Sequence, residues 1–184
     1  YCCNCDCFSR LSGRAGMSIF PDDVLRQSTS LLEHCRSRKL KITTAESCTG
    51  GLIIAALTEI AGSSDVVDRG FITYSNEAKV AMLGVDPGVL ADKGAVSEET
   101  CRAMVAGALK NSNADFAVAV TGVAGPGGGS VLKPVGVVHV ATGSKDAIEH
   151  REFRFGSIGR DQIRLETIRA ALYMLATSTA QPLK

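Results

Sequence analysis

Residues 116–120, Phe-Ala-Val-Ala-Val, form an unbroken apolar run that stops at Thr121 and passes into a glycine-rich stretch, residues 122–129. A strand with no polar alternation is one covered on both faces, so the chain must supply layers above and below a sheet. Hydrophobic periodicity supplies them. Pro21-Asp22-Asp23 favours a helix start, and Val24, Leu25, Ser28, Leu31, Leu32 and Cys35 recur at helical spacing to about residue 38. Residues 41–45 are short and β-branched enough for a strand. A second helix follows with Ile53, Ala56, Leu57 and Ile60 on one face, ended by Ala61-Gly62-Ser63-Ser64. Residues 66–74 read as a strand, Ser75 or Asn76 as the cap of a helix through Lys79 to Leu83, and residues 86–95 as a loop with one helical turn. Ser97 before Glu98 and Glu99 opens a helix whose Cys101, Met104, Val105, Ala108 and Leu109 face inward. Residues 135–142 and 148–155 read as a hairpin-type pair, and 160–177 as a closing helix with Leu165, Ile168, Leu172 and Leu175 on its buried stripe. Helices alternating with about five strands predict an α/β fold: a three-layer α/β/α sandwich on a mixed, mostly parallel sheet.

At 184 residues and 45% hydrophobic content, one core can bury what the apolar residues offer, so a single domain is expected. Basic and acidic residues intermingle to a formal net charge of +1, leaving no basic stripe for a nucleic-acid backbone. No apolar run approaches the roughly 20 residues of a membrane span, which points to a soluble protein with no membrane partner. Four of the seven cysteines, Cys2, Cys3, Cys5 and Cys7, crowd the N-terminus; Cys35, Cys48 and Cys101 lack framework spacing. An odd total and no secretory segment predict free thiols in a reducing cytoplasm. The N-terminal cluster has no second ligand pair farther along the chain, so no metal is expected there. Residues 1–16 show no apolar periodicity and precede Met17, and read as a leader or non-native extension outside a domain of residues 17–184.

The chemistry concentrates in Thr43-Thr44-Ala45-Glu46-Ser47-Cys48-Thr49-Gly50-Gly51, a small, polar turn between a strand-like and a helix-like stretch. It sets a potential nucleophile, Ser47, where a helix begins, and the N–H groups of Thr49, Gly50 and Gly51 offer an oxyanion site. An ordinary capped strand-to-helix connection has the same composition. Cys48 is the rival nucleophile, or a small apolar filler. None of His34, His139 and His150 falls in a motif turn, so a serine hydrolase here would take a lysine as base. Lys79 stands early in its helix, where the dipole disfavours a cation and burial would lower its pKa further; a surface lysine is the alternative. Tyr74 can relay a proton or hold Lys79, or simply pack. The glycine loop, with Gly125, allows close backbone approach at a strand end, although it fits neither a Walker loop nor G-x-G-x-x-G. Arg160 and Arg164 lie one turn apart at a helix start and can bind a phosphate there, or be solvated.

The run 43–81, together with Gly94-Ala95-Val96-Ser97-Glu98-Glu99 and the stretch 119–129, resembles the CinA C-terminal domain family, the nicotinamide-nucleotide amidohydrolases, over about residues 22–177. The resemblance implies hydrolysis of the carboxamide of nicotinamide mononucleotide to nicotinate mononucleotide and ammonia, in pyridine nucleotide recycling, by a serine with a lysine as base and without metal or cofactor. Ser47 and Lys79 match the family's serine and lysine, and Thr121 matches an active-site position. The expected partner is a small nucleotide, and a homo-oligomer is expected. Many relatives carry a further N-terminal domain resembling molybdopterin-binding proteins, and this chain reads as the stand-alone form. The alternative is a non-catalytic nucleotide-binding or interaction module in competence or DNA-damage responses.

Overall fold

A computed structural model describes residues 18–181. Residues 1–16, expected to lie outside the fold, are outside the described residues. Five strands, β1 (Ile42–Glu46), β2 (Val67–Ile72), β3 (Phe116–Gly122), β4 (Val137–Gly143) and β5 (Ile148–Arg154), form one sheet in the order β2-β1-β3-β4-β5. β1 pairs in parallel with β2 and β3, and β4 pairs antiparallel with β3 and β5. Four strands therefore share one direction and β4 alone opposes them, which is the mixed sheet expected.

Alternation within β3 divides its side chains between two cores. Phe116, Val118 and Val120 join a cluster with α1 (Asp22–Ser37), α2 (Leu52–Thr58) and α6 (Arg160–Ala180). Ala117 and Ala119 face the second cluster, built with α3 (Asn76–Leu83), α4 (Pro87–Lys93) and α5 (Glu98–Lys110). Alanine on that face lets α5 lie close to the sheet, where Met104, Val105 and Ala108 are fully buried. The three layers follow directly.

Two elements differ from expectation. Residues 86–95 contain a seven-residue helix, α4, because Asp86 caps it by accepting from the Gly88 N–H at 2.7 Å and Pro87 supplies a preset φ at the first helical position. β1 extends one residue further than its apolar pattern, through Glu46, whose carboxylate is fully buried. The helix caps at Ser75 and Ser97 form as expected, each hydroxyl accepting an N–H three residues on.

The connection from β1 to β2 passes through α2 on one face, whereas the path from β2 to β3 crosses by α3, α4 and α5 on the other. The crossovers diverge above the carboxyl ends of β1 and β3, and this is where open α/β sheets form a crevice.

Candidate active site

Three parallel strands end at that crevice: β1 runs into Ser47, β2 into Thr73, and β3 carries Thr121 near its end. A cavity of about 210 Å³ opens there, lined among others by Ser47, Cys48, Tyr74, Lys79, Thr121 and Arg160. Sequence-distant residues thus meet in one place.

Lys79 comes from the first turns of α3, which Ser75 caps by accepting the Ala78 N–H at 3.0 Å. Its ammonium nitrogen lies 3.1 Å from Ser47 Oγ and donates to the Thr73 carbonyl at 2.8 Å. The residue has no exposed surface and Ser47 only 9%. Burial is the dominant influence on Lys79 and lowers its pKa; among the described residues no carboxylate is in contact with the amine to hold it charged. Burial also acts on Cys48, whose thiol is pushed up to about 12, so the sulfur stays protonated near neutral pH.

Tyr74 is placed differently from the expectation that it holds Lys79. Its side chain is 64% exposed and its hydroxyl accepts from Arg160 at 3.3 Å, while the Thr73 carbonyl holds the lysine. Thr121 lines the cavity but spends its hydroxyl on the Ala95 carbonyl, at 2.7 Å, fixing the segment that forms the opposite wall. Gly125 contributes its carbonyl, which accepts from Arg160 at 2.8 Å. Arg160 is thereby set at the rim. Arg164 is not with it: it donates to the Thr49 carbonyl at 2.6 Å and borders a separate groove with Leu52, Asp161 and Leu165.

The expected oxyanion donors need correction, because most of them are already engaged. The Gly50 N–H donates to the Ser47 carbonyl at 3.1 Å, and the Gly51 N–H to Glu46 at 3.1 Å. Thr49 is fully buried and does not line the cavity. Gly50 and Gly51 act through their backbone conformation instead, with φ of +61° and +97°, which let the chain turn from β1 into α2.

Glu46 is the main residue that sequence reading missed. It lies on the α2 side of β1, and its two carboxylate oxygens accept from the Thr49 hydroxyl (2.7 Å), the N–H groups of Gly51, Ile53 and Ile54 (3.1, 3.0 and 2.8 Å) and the Thr44 hydroxyl (3.3 Å). A carboxylate is an acceptor only, and five donors suit it. The available signal was an acidic residue at the strand end, one turn of chain ahead of a helix; the Thr73 carbonyl, a backbone group, has no signature at all.

The sequence profile of the CinA C-terminal domain matches residues 25–179. A protein of Caldicellulosiruptor bescii named as competence-damage inducible is 48% identical over 168 residues, covering 90% of this chain and 40% of that protein. The chain thus spans about two-fifths of the length of such relatives. The nicotinamide-nucleotide amidohydrolase PncC of Escherichia coli is 45% identical over 155 residues, 83% of this chain and 93% of that one. The crystal structure of the competence/damage inducible protein CihA from Agrobacterium tumefaciens superposes with a TM-score of 0.87 at 54% identity, over 90% of this chain and all of that one. The matched region takes in every residue of the cavity, and the chain belongs to the CinA C-terminal domain family.

Proposed function

We propose that this chain hydrolyses the carboxamide of nicotinamide mononucleotide to nicotinate mononucleotide and ammonia, in pyridine nucleotide recycling, with Ser47 as nucleophile and Lys79 as base. The observation that carries the reading is the 3.1 Å approach of the Lys79 nitrogen to Ser47 Oγ inside the cavity, with burial lowering the lysine's pKa. The relative from Escherichia coli named as a nicotinamide-nucleotide amidohydrolase supports the substrate.

In the neutral amine one N–H stays on the Thr73 carbonyl and the lone pair faces Ser47 Oγ. Lys79 takes the hydroxyl proton as Oγ bonds to the carboxamide carbon, and the carbonyl oxygen becomes an oxyanion. Collapse of that intermediate breaks the C–N bond, and the nitrogen leaves as ammonia with the proton from Lys79. Water then attacks the acyl carbon, giving a proton to Lys79, and the ester bond to Ser47 breaks to restore the hydroxyl and release the acid. Ser47 is favoured over Cys48 because the thiol, pushed up to about 12, offers little thiolate. A cavity of about 210 Å³ suits the pyridine ring and its amide, so the ribose phosphate extends past Arg160 at the rim.

Among the described residues no helix is long and apolar enough to cross a membrane, which fits the proposed cytoplasmic setting. A homo-oligomer remains part of the proposal. The names of several relatives favour a second reading, a non-catalytic module in competence or damage responses. Ammonia release from nicotinamide mononucleotide by the purified chain separates them: turnover supports the enzyme, whereas nucleotide binding without ammonia supports the module.

A further inference from the structure

Glu46 of β1 and Arg164 of α6 both end on Thr49, one at its hydroxyl and the other at its carbonyl. Glu46 accepts the Thr49 hydroxyl at 2.7 Å, and Arg164 donates to the Thr49 carbonyl at 2.6 Å. Neither side chain lines the cavity. Thr49 is fully buried, so these contacts are made where water does not compete.

What they hold is a four-residue turn. The Gly50 N–H donates to the Ser47 carbonyl at 3.1 Å, so residues 47–50 close on themselves with Cys48 and Thr49 at the centre. In a trans peptide the C=O and the following N–H point in opposite directions. Pinning the Ser47 carbonyl to Gly50 therefore aims the Cys48 N–H the other way. Cys48 lines the cavity beside Ser47, and its N–H has no partner among the described residues. Of the other N–H groups of the turn and of the start of α2, that of Ser47 donates to the Val120 carbonyl, that of Gly50 to the Ser47 carbonyl and those of Gly51, Ile53 and Ile54 to the Glu46 carboxylate; the N–H groups of Thr49 and Leu52 have no partner among the described residues, but neither residue lines the cavity.

We infer that Glu46 and Arg164 are positioning residues that clamp Thr49 between them, fixing the turn so that the Cys48 N–H is presented as the oxyanion donor next to Ser47. This rests on the proposed role of Ser47 as nucleophile. It also removes Arg164 from the substrate: an arginine bonded to Thr49 and facing another groove supports the reaction from behind the turn. The division of labour is then testable, because a positioning residue acts on the rate of the chemical step and a phosphate ligand on substrate binding.

The experiment uses the full chain and the variants Glu46→Gln, Thr49→Val and Arg164→Met, each checked for folding by circular dichroism. Glu46→Gln keeps shape but replaces one acceptor oxygen with a donor. Thr49→Val removes the hydroxyl alone, and so keeps the test open should Glu46→Gln fail to fold. Two readouts are needed: ammonia release from nicotinamide mononucleotide and from nicotinamide riboside, which lacks the phosphate, and acylation of Ser47 by p-nitrophenyl acetate. The expected result is a kcat reduced about 100-fold for Glu46→Gln and Arg164→Met, the loss typical of misplaced reacting groups, and a smaller loss for Thr49→Val. KM should stay within about threefold for both substrates, and acylation should slow in parallel. A KM for the mononucleotide raised tenfold or more in Arg164→Met, with the riboside unaffected, would assign Arg164 to the phosphate and overturn the clamp. Unchanged acylation in all three variants would overturn it too. If wild type acylates Ser47 but releases no ammonia, the substrate reading fails and the acylation rates alone decide the clamp; if Ser47 is not acylated at all, the clamp falls with the nucleophile.

Discussion

Lys79 is a charged residue type with no exposed surface, its amine bonded among the described residues to a carbonyl and a hydroxyl alone. Such a group costs stability, because at neutral pH the unfolded chain carries the proton that burial disfavours in the folded one. With the folded pKa lowered below 10.5, stability should rise as pH rises towards that value. Lys79→Met fills the same volume without this cost, and is expected to abolish ammonia release while raising stability by about 0.5–2 kcal/mol in denaturant melts at pH 7. A less stable variant would show that the amine contributes more to packing than it costs in desolvation. The wild-type rate should increase with pH as the free amine forms, and the step should vanish in the mutant. Lys79→Arg should be nearly as inactive, since guanidinium keeps its proton; more than about a tenth of the wild-type rate would mean that charge, not basicity, is required. Ser47→Ala is expected to stop ammonia release and leave nucleotide affinity within a few fold, while Cys48→Ala, which removes only a buried thiol, should be mild. Inactivation by the cysteine change alone, read by ammonia assay, would move the nucleophile.

At the scale of elements, the position of Lys79 depends on where α3 sits, and one glycine sets that. Gly107 faces the end of α3 from the last turn of α5, and a Cβ there would overlap the Leu83 carbonyl oxygen. Backbone cannot turn aside as a side chain can. Gly107→Ala should therefore push α3 away and destabilise the fold by about 1–3 kcal/mol, the cost of overpacking, despite alanine's better helix propensity. A urea titration gives the value, and a midpoint at or above wild type would show that the two helices can separate freely. Activity of the folded variant should fall as well, because the same shift moves Lys79 away from Ser47.

The sandwich as a whole has a pH-sensitive seam far from the lysine in chemistry. His139 on β4 and His150 on β5 join ring to ring at 2.9 Å, with Glu98 of α5 3.3 Å from His150 and Glu152 3.9 Å from His139. Desolvation lowers both pKa values below 6.5, outweighing the carboxylates. The unfolded chain thus takes up protons first, so stability should be complete above about 6.5 and decline as pH falls below it. Carboxylates with lowered values, Asp23 and Glu98 among them, lose their contributions only below their ordinary 3.8 and 4.5. Thermal melts between pH 7.5 and 5 should show the histidine step separately, and His139→Gln should flatten it. An unchanged slope in that variant would place the proton uptake elsewhere.

By itself the sequence determined the layers and most of their order. The unbroken apolar run 116–120 required cover on both faces, helical spacing marked α1, α5 and α6, and the Ser47 turn and the run Tyr74 to Lys79 named residues that meet at the cavity. These are local patterns, written within a few turns of chain. Long-range pairing decided the rest. The sheet order brings β3 beside β1, so that the ends of three strands meet; alternation on β1 turns Glu46 towards α2; and the Thr73 carbonyl, which no side-chain pattern reveals, receives Lys79. Arg160 and Arg164 look equivalent one turn apart, yet one ends at the cavity rim and the other behind the turn. Spacing along a helix fixes a shared face, but what that face meets depends on every other element packed around it.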